Sequence, residues 1–118
     1  MSTHDILHRL SETLLARRDA SPETSYTAQL FAKGPDSILK KIGEECAELI
    51  MASKDGKHLN IVWESTDVIY HVLVLLAFHG LGIEDVSQEM RRREGISGID
   101  EKRSRIAHDT EAVVMDKK

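Results

Sequence analysis

Five carboxylates occur in two short stretches of the sequence, at the spacing of neighbours on one face of an α-helix. The first stretch, KIGEECAELI at residues 41–50, holds Glu44, Glu45 and Glu48, and the second holds Glu64 and Asp67. Residues three or four positions apart lie side by side on a helix surface. The second pair interrupts a largely apolar segment that has no lysine or arginine between residues 59 and 81, so neither acid has a basic partner within its own helix.

If the two helices face each other, four of these carboxylates converge beside apolar side chains, and Glu44 points further round toward solvent. An unpaired buried carboxylate is costly, and a second like charge nearby raises that cost. Either the acids take up protons or a divalent cation neutralises them. Oxygen ligands suit Mg²⁺ or Mn²⁺ rather than zinc, and a carboxylate-held Mg²⁺ generally takes further ligands from substrate phosphates. The pattern is compatible with a metal centre, and a solvated or protonated acidic face is the alternative.

The elements that must position these acids are helices, because apolar residues recur at helical spacing and no alternating strand pattern occurs. Long helices are predicted at about residues 3–18, 36–53 and 60–79, with shorter ones from position 83 or 84 to 93 and at about 101–108. Residues 25–31 form a short helix or a turn, and Gly34-Pro35-Asp36 begins the second long helix. Residues from about 109 to 118 are expected to be a loose tail. The predicted fold is all-α, a helix bundle in one domain at residues 1–118.

The third long helix is apolar around most of its circumference. Its apolar residues are Val68, Ile69, Val72, Leu73, Val74, Leu75, Leu76 and Phe78. A helix of this kind has to be covered on all sides, which the other helices of so small a chain hardly achieve. We therefore expect oligomerisation to complete the bundle, as a homodimer or higher homo-oligomer.

Charge and cysteine content exclude several classes of function. A net charge of −4 argues against binding to duplex nucleic acid. A single cysteine, Cys46, rules out an internal disulfide framework and a multi-cysteine zinc site, and it fits a reducing compartment as a small core residue. The N-terminus lacks the pattern of a signal peptide, and the apolar run at residues 68–78 is too short to span a bilayer. The expected location is the cytoplasm, with no membrane partner.

At the acidic segments the sequence resembles a known family. KIGEECAEL, ESTDVIYHVLVLL, the upstream SYTAQLFAKGPDSILKK and the downstream RRREGISGIDEKRSR are similar to the phosphoribosyl-ATP pyrophosphatases of histidine biosynthesis. These enzymes form part of the MazG-like all-α nucleoside triphosphate pyrophosphohydrolase superfamily. The resemblance covers about residues 25–105. Cys46 departs from the alanine common at that position but keeps its small size. The chain looks like the stand-alone form, without a fused cyclohydrolase domain.

The resemblance implies that Glu45, Glu48, Glu64 and Asp67 bind Mg²⁺, with Mn²⁺ as a possible substitute, and that Glu44 assists. It also implies that phosphoribosyl-ATP is hydrolysed between its α- and β-phosphates, which yields phosphoribosyl-AMP and pyrophosphate. One of the glutamates 44, 45 and 48 would take the proton of the attacking water.

Basic residues should meet the phosphates of such a substrate. The candidates are Lys33, Lys40, Lys41, Arg91 to Arg93, Lys102 and Arg105. We expect Lys41, Lys102 and Arg105 to bind the substrate, although an ion pair with Glu45 is the alternative for Lys41.

Two other functions remain compatible with the residues. One is a house-cleaning pyrophosphohydrolase that acts on free or modified nucleoside triphosphates. The other is a non-enzymatic helical oligomer whose acids are merely solvated or protonated. A di-iron carboxylate bundle is disfavoured because it needs Glu-x-x-His pairs, whereas His71 follows Glu64 and Asp67 at the wrong spacing. His71 is interpreted as a hydrogen-bonded core histidine.

Overall fold

The computed structural model describes residues 3–116, with side chains described for residues 6–109. Its helices are α1 (Thr3–Ala16), α2 (Tyr26–Lys33), α3 (Pro35–Asp55), α4 (His58–Phe78), α5 (Ile83–Arg93) and α6 (Gly98–Asp116). A 3-10 turn at Arg17–Asp19 extends α1, and residues 3–116 contain no strand. The all-α prediction is confirmed. The segment at residues 25–31, predicted as a short helix or a turn, is the helix α2, where the Ser25 hydroxyl accepts the Ala28 N–H at 3.2 Å.

Two glycines fix the ends of α3, the helix that carries the first acidic group. Gly34 has φ 90° and precedes Pro35 at the first helical position. Gly56 lies in the left-handed region with φ 70°, and its N–H reaches the carbonyls of Ala52 and Ser53 at 3.2 and 3.1 Å. Only glycine adopts such angles without a steric penalty, so the chain can leave the helix and reverse at this point.

The connection between α3 and α4 places the acids opposite each other. Only Gly56 and Lys57 separate the two helices, which pack together as a helical hairpin. In an antiparallel pair, residues equally far from the connection face one another. Glu48 lies eight residues before Gly56, and Glu64 lies seven residues after Lys57. The short connection therefore brings Glu48 to the level of Glu64.

The hydrophobic core lies at the other end of this hairpin. It contains the buried residues Leu14, Leu30, Ile38, Leu73, Val74 and Ala77, which come from α1, α2, the start of α3 and the end of α4. Each large aliphatic side chain buried here contributes roughly 1.5–3 kcal/mol to folding. A hydrogen bond of 2.6 Å between the hydroxyls of Thr27 and Tyr70 ties α2 to α4. The core holds α3 and α4 together on one side of the acidic residues.

The end of the hairpin near the connection keeps large apolar side chains exposed. Their exposed fractions are 63% for Ile50, 57% for Met51, 59% for Leu59, 58% for Val62 and 56% for Trp63. α4 was expected to be apolar all round, and within one chain much of its surface is indeed uncovered. The oligomer inferred from that pattern stays a prediction.

α4 is longer than the apolar run inside it. The run at residues 68–78 was judged too short for a bilayer, yet the helix has 21 residues and a window of mean hydropathy 1.5, enough to cross a membrane by length and composition. The helix also includes the residues before the apolar run, and these account for the difference between the length of the helix and the length of the run. Glu64 and Asp67 lie inside this helix, and carboxylates in a bilayer are expensive unless they are paired. Apolar contact with protein is the simpler explanation of its composition.

The chain forms two compact units, Met1–Asp85 and Val86–Lys118. Within the second unit, Glu101 is 5% exposed and forms ion pairs with Arg92 at 2.7 Å, Arg105 at 2.9 Å and Arg93 at 3.6 Å. Such a carboxylate is tolerated in a buried place because several guanidinium groups neutralise it. The single domain predicted from chain length stays a prediction.

The last helix corrects the prediction for the C-terminus. A short helix at about 101–108 was expected, but α6 runs from Gly98 to Asp116. Residues 109–116 contain neither glycine nor proline and include the apolar residues 112–115, so the sequence holds no strong signal that would stop the helix. The loose tail expected from about residue 109 stays a prediction. Lys117 and Lys118 lie outside the described residues.

Candidate metal centre

Three of the predicted carboxylates meet between α3 and α4. Glu45 and Glu48 lie on adjacent turns of α3, Glu64 lies on α4, and one oxygen of each is within 4.8 Å of the others. Two oxygens on opposite sides of an Mg²⁺ ion are about 4.2 Å apart, since each bond is about 2.1 Å long. The three groups are therefore spaced nearly as three ligands of one small cation would be.

Two oxygens of this cluster lack the partners that buried oxygens normally have. Glu45 Oε2 and Glu64 Oε2 are both buried, and neither has a hydrogen-bond partner among the residues that the structure describes. Most buried polar atoms in proteins are hydrogen-bonded, and an exception calls for a physical explanation such as an ion or water at the site. Buried carboxylate oxygens without partners, in a cluster of acids, are what a cation site requires.

The electrostatics of the cluster favour the neutral state of two of its acids. Burial raises the pKa of Glu45, and the hydrogen bond and charge of Glu48 raise it further, followed by the charge of Asp67. Burial is also the main cause that raises the pKa of Glu64, again with Glu48 next and then Asp67 and Glu45. A divalent cation would reverse these shifts, because it stabilises the charged form of each ligand. The donor set, which is oxygen only, fits Mg²⁺ or Mn²⁺.

The other predicted residues of this region lie at its margin. Asp67 is exposed and is not one of the three converging carboxylates, although its charge acts on both Glu45 and Glu64. Glu44 is exposed and forms an ion pair of 3.6 Å with Lys41. The alternative considered for Lys41 was an ion pair with Glu45. In the structure the partner of Lys41 is Glu44 instead.

The remaining predicted substrate-binding residues lie in the second unit. Lys102 is exposed, and Arg105 forms an ion pair of 2.9 Å with the buried Glu101. Of the arginines considered as phosphate ligands, Arg92 and Arg93 contact Glu89 and Glu101. The spacing i, i+3 and i, i+4 between Glu89 and these arginines, and between Glu101 and Arg105, was a signal in the sequence for ion pairs within a helix.

His71 has more features of a site residue than the sequence indicated. It is 6% exposed, and its Nδ1 lies 2.7 Å from the backbone oxygen of Asp67, which agrees with the predicted hydrogen-bonded core histidine. Its Nε2, however, is buried without a partner among the described residues. The signal in the sequence was its position four residues after Asp67, on the same face of α4.

Comparison with known proteins decides the family. The family model described as phosphoribosyl-ATP pyrophosphohydrolase matches residues 7–94, which is most of the chain and includes Glu44, Glu45, Glu48, Glu64 and Asp67. The chain belongs to the phosphoribosyl-ATP pyrophosphohydrolase family. The matched range ends before Lys102 and Arg105, so it gives no support for a role of these two residues.

Individual relatives are similar to most of this chain. A phosphoribosyl-ATP pyrophosphatase of Dechloromonas aromatica is 88% identical over 105 residues, which cover 89% of this chain and 97% of the relative. One from Azoarcus sp. is 55% identical over 101 residues, or 86% of this chain and 94% of the relative. A protein of Wolinella succinogenes named histidine biosynthesis bifunctional protein HisIE is 51% identical over 102 residues, which cover 86% of this chain but 44% of that longer protein.

Proposed function

We propose that this protein hydrolyses phosphoribosyl-ATP to phosphoribosyl-AMP and pyrophosphate, as a step of histidine biosynthesis, with the help of Mg²⁺ or Mn²⁺. The observation that supports this most is the set of three converging carboxylates, two of them with buried and unpartnered oxygens, in a chain of this family. Relatives with the corresponding name extend along nearly the whole chain.

In the proposed centre Glu45, Glu48 and Glu64 hold the cation, and Asp67 adds negative charge at the edge of the cluster. When bound, the ion neutralises charge on the phosphates and lowers the pKa of water. During hydrolysis a new bond forms between water oxygen and phosphorus as the anhydride bond breaks, and pyrophosphate leaves. One of the glutamates 44, 45 and 48 accepts the proton that the attacking water loses.

The proposed substrate carries phosphates that need positive partners. Lys41 lies one turn before Glu45 on α3, where it pairs with Glu44 through an exposed contact of 3.6 Å. An exposed ion pair of this kind is weak, so its lysine exchanges one anion for another at little cost. We propose Lys41 as a phosphate ligand on this basis, and Lys102 and Arg105 as further ligands on the resemblance of their segment to the family.

A homodimer or higher homo-oligomer is also part of the proposal. The exposed apolar side chains of Ile50, Met51, Val62 and Trp63 lie near the connection between α3 and α4, beyond the core. Monomeric soluble proteins rarely expose contiguous patches of large apolar residues. A second copy of the chain that covers this end would extend the core past the metal centre. A nucleotide substrate and the free Cys46 fit the cytoplasm as the proposed location.

One assay tests the proposed activity. Pyrophosphate release is measured from phosphoribosyl-ATP and, in parallel, from the common NTPs and dNTPs, with Mg²⁺, with Mn²⁺ and with a chelator. We expect turnover of phosphoribosyl-ATP that needs the cation and exceeds turnover of every free nucleotide. Preferential turnover of a free dNTP would instead identify a house-cleaning enzyme, and the absence of turnover together with no effect of Mg²⁺ on thermal stability would favour a non-enzymatic oligomer.

A further inference from the structure

The ring of His71 is held in one orientation by the helix on which it lies. Its Nδ1 is 2.7 Å from the carbonyl oxygen of Asp67, one turn earlier on α4. A carbonyl oxygen only accepts hydrogen bonds, so Nδ1 carries the proton and donates it. In the uncharged ring, Nε2 is then an acceptor with a free lone pair.

That acceptor is buried, and the described part of the protein does not satisfy it. His71 is 6% exposed, and its Nε2 has no hydrogen-bond partner among the described residues. Leaving a buried polar atom in this state is unfavourable. A role in packing and in binding the carbonyl of Asp67 leaves Nε2 unsatisfied, whereas a bound partner in the working protein would satisfy it.

When both glutamates of the cluster are ionised, the unsatisfied atoms of this part of the hairpin are all acceptors. Besides His71 Nε2, they are Glu45 Oε2 and Glu64 Oε2. His71 lies on the face of α4 that carries Glu64 and Asp67. When the ring is protonated, its charge lowers the pKa of Glu45 on α3. Acceptors cannot satisfy one another, and the two carboxylates and the imidazole lone pair all require a cation or the hydrogen atoms of a donor. Water is the small molecule that donates two hydrogen bonds at once.

We propose that His71 is a positioning residue of the metal centre, whose Nε2 accepts a hydrogen bond from a water molecule shared with the acidic cluster. This rests on the proposed metal centre. The hydrogen bond from Nδ1 to Asp67 fixes the tautomer, and the tautomer in turn makes Nε2 an acceptor. His71 thereby orients the water that a neighbouring glutamate deprotonates, without touching the phosphates itself.

Two substitutions separate the functions of the two ring nitrogens. In His71→Asn the amide nitrogen takes the place of Nδ1 and still donates to the Asp67 carbonyl, but nothing replaces Nε2. In His71→Gln the longer side chain brings an amide group to the position of Nε2 and gives up the bond from Nδ1. Tyr70→Phe is the control on the neighbouring residue, because it removes the 2.6 Å hydrogen bond to Thr27 and leaves the acidic cluster intact.

The kinetic experiment measures kcat and KM for phosphoribosyl-ATP with saturating Mg²⁺. We expect kcat of His71→Asn to fall about 10–100-fold, the range for residues that support a metal centre from outside its ligand shell, with little change in KM. His71→Gln should recover a large part of that loss, and Tyr70→Phe should keep the wild-type kcat. Wild-type kcat in His71→Asn, or equal losses in the Asn and Gln variants, would overturn the proposal.

A second measurement does not depend on activity or on the folding of any variant. The ¹⁵N resonances of the His71 ring in the wild-type protein report which nitrogen is protonated. We expect protonated Nδ1 and unprotonated Nε2 without metal, and a shift of the Nε2 resonance toward that of a hydrogen-bonded acceptor when Mg²⁺ is added. An Nε2 resonance that is indifferent to Mg²⁺ would refute the role of His71 even in an active enzyme, whereas a wild-type protein inactive on phosphoribosyl-ATP would refute the proposed function instead.

Discussion

Glu48 on α3 and Glu64 on α4 bring carboxylate oxygens within 4.8 Å of each other across the interface of the two helices. Like charges at this distance repel, and the proximity of Glu48 is a cause of the raised pKa of Glu64. A structural salt bridge would place a lysine or arginine at one of these positions. The hairpin thus carries an electrostatic cost in the absence of a cation, and the proposed divalent cation would remove it.

Glu48→Gln tests this cost directly. The substitution removes one of three clustered charges and keeps the side-chain shape, so we expect the melting temperature of the metal-free protein to rise by a few degrees. In the wild type we expect Mg²⁺ to raise the melting temperature. In the variant this rise should disappear, because the site loses a ligand. kcat/KM should fall by at least the ~10–100-fold seen when a supporting residue of a metal centre is lost. Thermal unfolding with and without Mg²⁺ and the pyrophosphate assay measure these effects.

Glu44→Gln is the matched control for stability. Glu44 lies on the same helix but is exposed and paired with Lys41 at 3.6 Å, so its neutralisation relieves no repulsion within the cluster. The metal-free melting temperature of this variant should not rise. If Glu48→Gln leaves the metal-free stability unchanged and retains the response to Mg²⁺, the cluster is a solvated acidic patch.

The features that the sequence predicts well are those with local causes. Gly34-Pro35 and Gly56 mark the ends of α3 through their own backbone preferences, and the helical spacing of Glu45 and Glu48 puts both on adjacent turns. The convergence with Glu64 was predicted only on the condition that the two helices face each other, which the two-residue connection fulfils. Asp67 was expected to converge as well and is not one of the three.

The features that the sequence did not predict depend on contacts between distant residues or on weak local signals. The unpartnered Nε2 of His71 becomes visible only when the packing of α3 on α4 has buried it. The burial of Glu101 depends on arginines of the preceding helix. The end of α6 was misjudged because the segment after residue 108 was treated as polar, although it includes the apolar residues 112–115. Helix propensity depends on backbone and side-chain freedom rather than on polarity.

Ser11 provides the second prediction, which concerns the start of α5. Its buried hydroxyl accepts the N–H of Ile83 at 2.9 Å, a backbone group that has no partner within the helix. Ser11→Ala should lower the free energy of unfolding by about 1 kcal/mol, up to about 2, as other lost helix caps do. Thr13→Ala is the control, because that exposed hydroxyl bonds the Arg9 carbonyl within α1 and its loss should change little. Chemical denaturation measures both, and equal effects would mean that Ser11 acts through helix propensity alone.

Glu89 provides a prediction for pH. Hydrogen bonds from Arg92 and then Arg93 lower the pKa of its carboxyl from 4.5 to about 2. Because the folded-state pKa is the lower one, the ionised group stabilises the folded state fully above pH 4.5, and this contribution is lost as the pH falls toward 2.

A ¹³C NMR titration of the Glu89 carboxyl should give a midpoint near 2, and Arg92→Gln should raise this midpoint. Arg91→Gln should not, since residues two positions apart do not face each other on a helix. A wild-type midpoint near 4.5 would show that these contacts do not persist in solution.

Trp63 tests the proposed oligomer. It is 56% exposed on α4, with Val62 beside it and Leu59 one turn earlier, each more than half exposed. If a second copy covers this end of the hairpin, Trp63→Glu buries an unpaired charge in the interface and should shift the equilibrium toward the monomer at micromolar concentration. Light scattering coupled to size-exclusion chromatography measures the mass as a multiple of that of one chain.

Gln88→Glu is the control, because it introduces the same charge at an exposed polar position of α5 and should leave the mass unchanged. A wild-type protein that is monomeric at all concentrations, or a Trp63→Glu variant with the same mass as the wild type, would show that this apolar surface does not join copies of the chain.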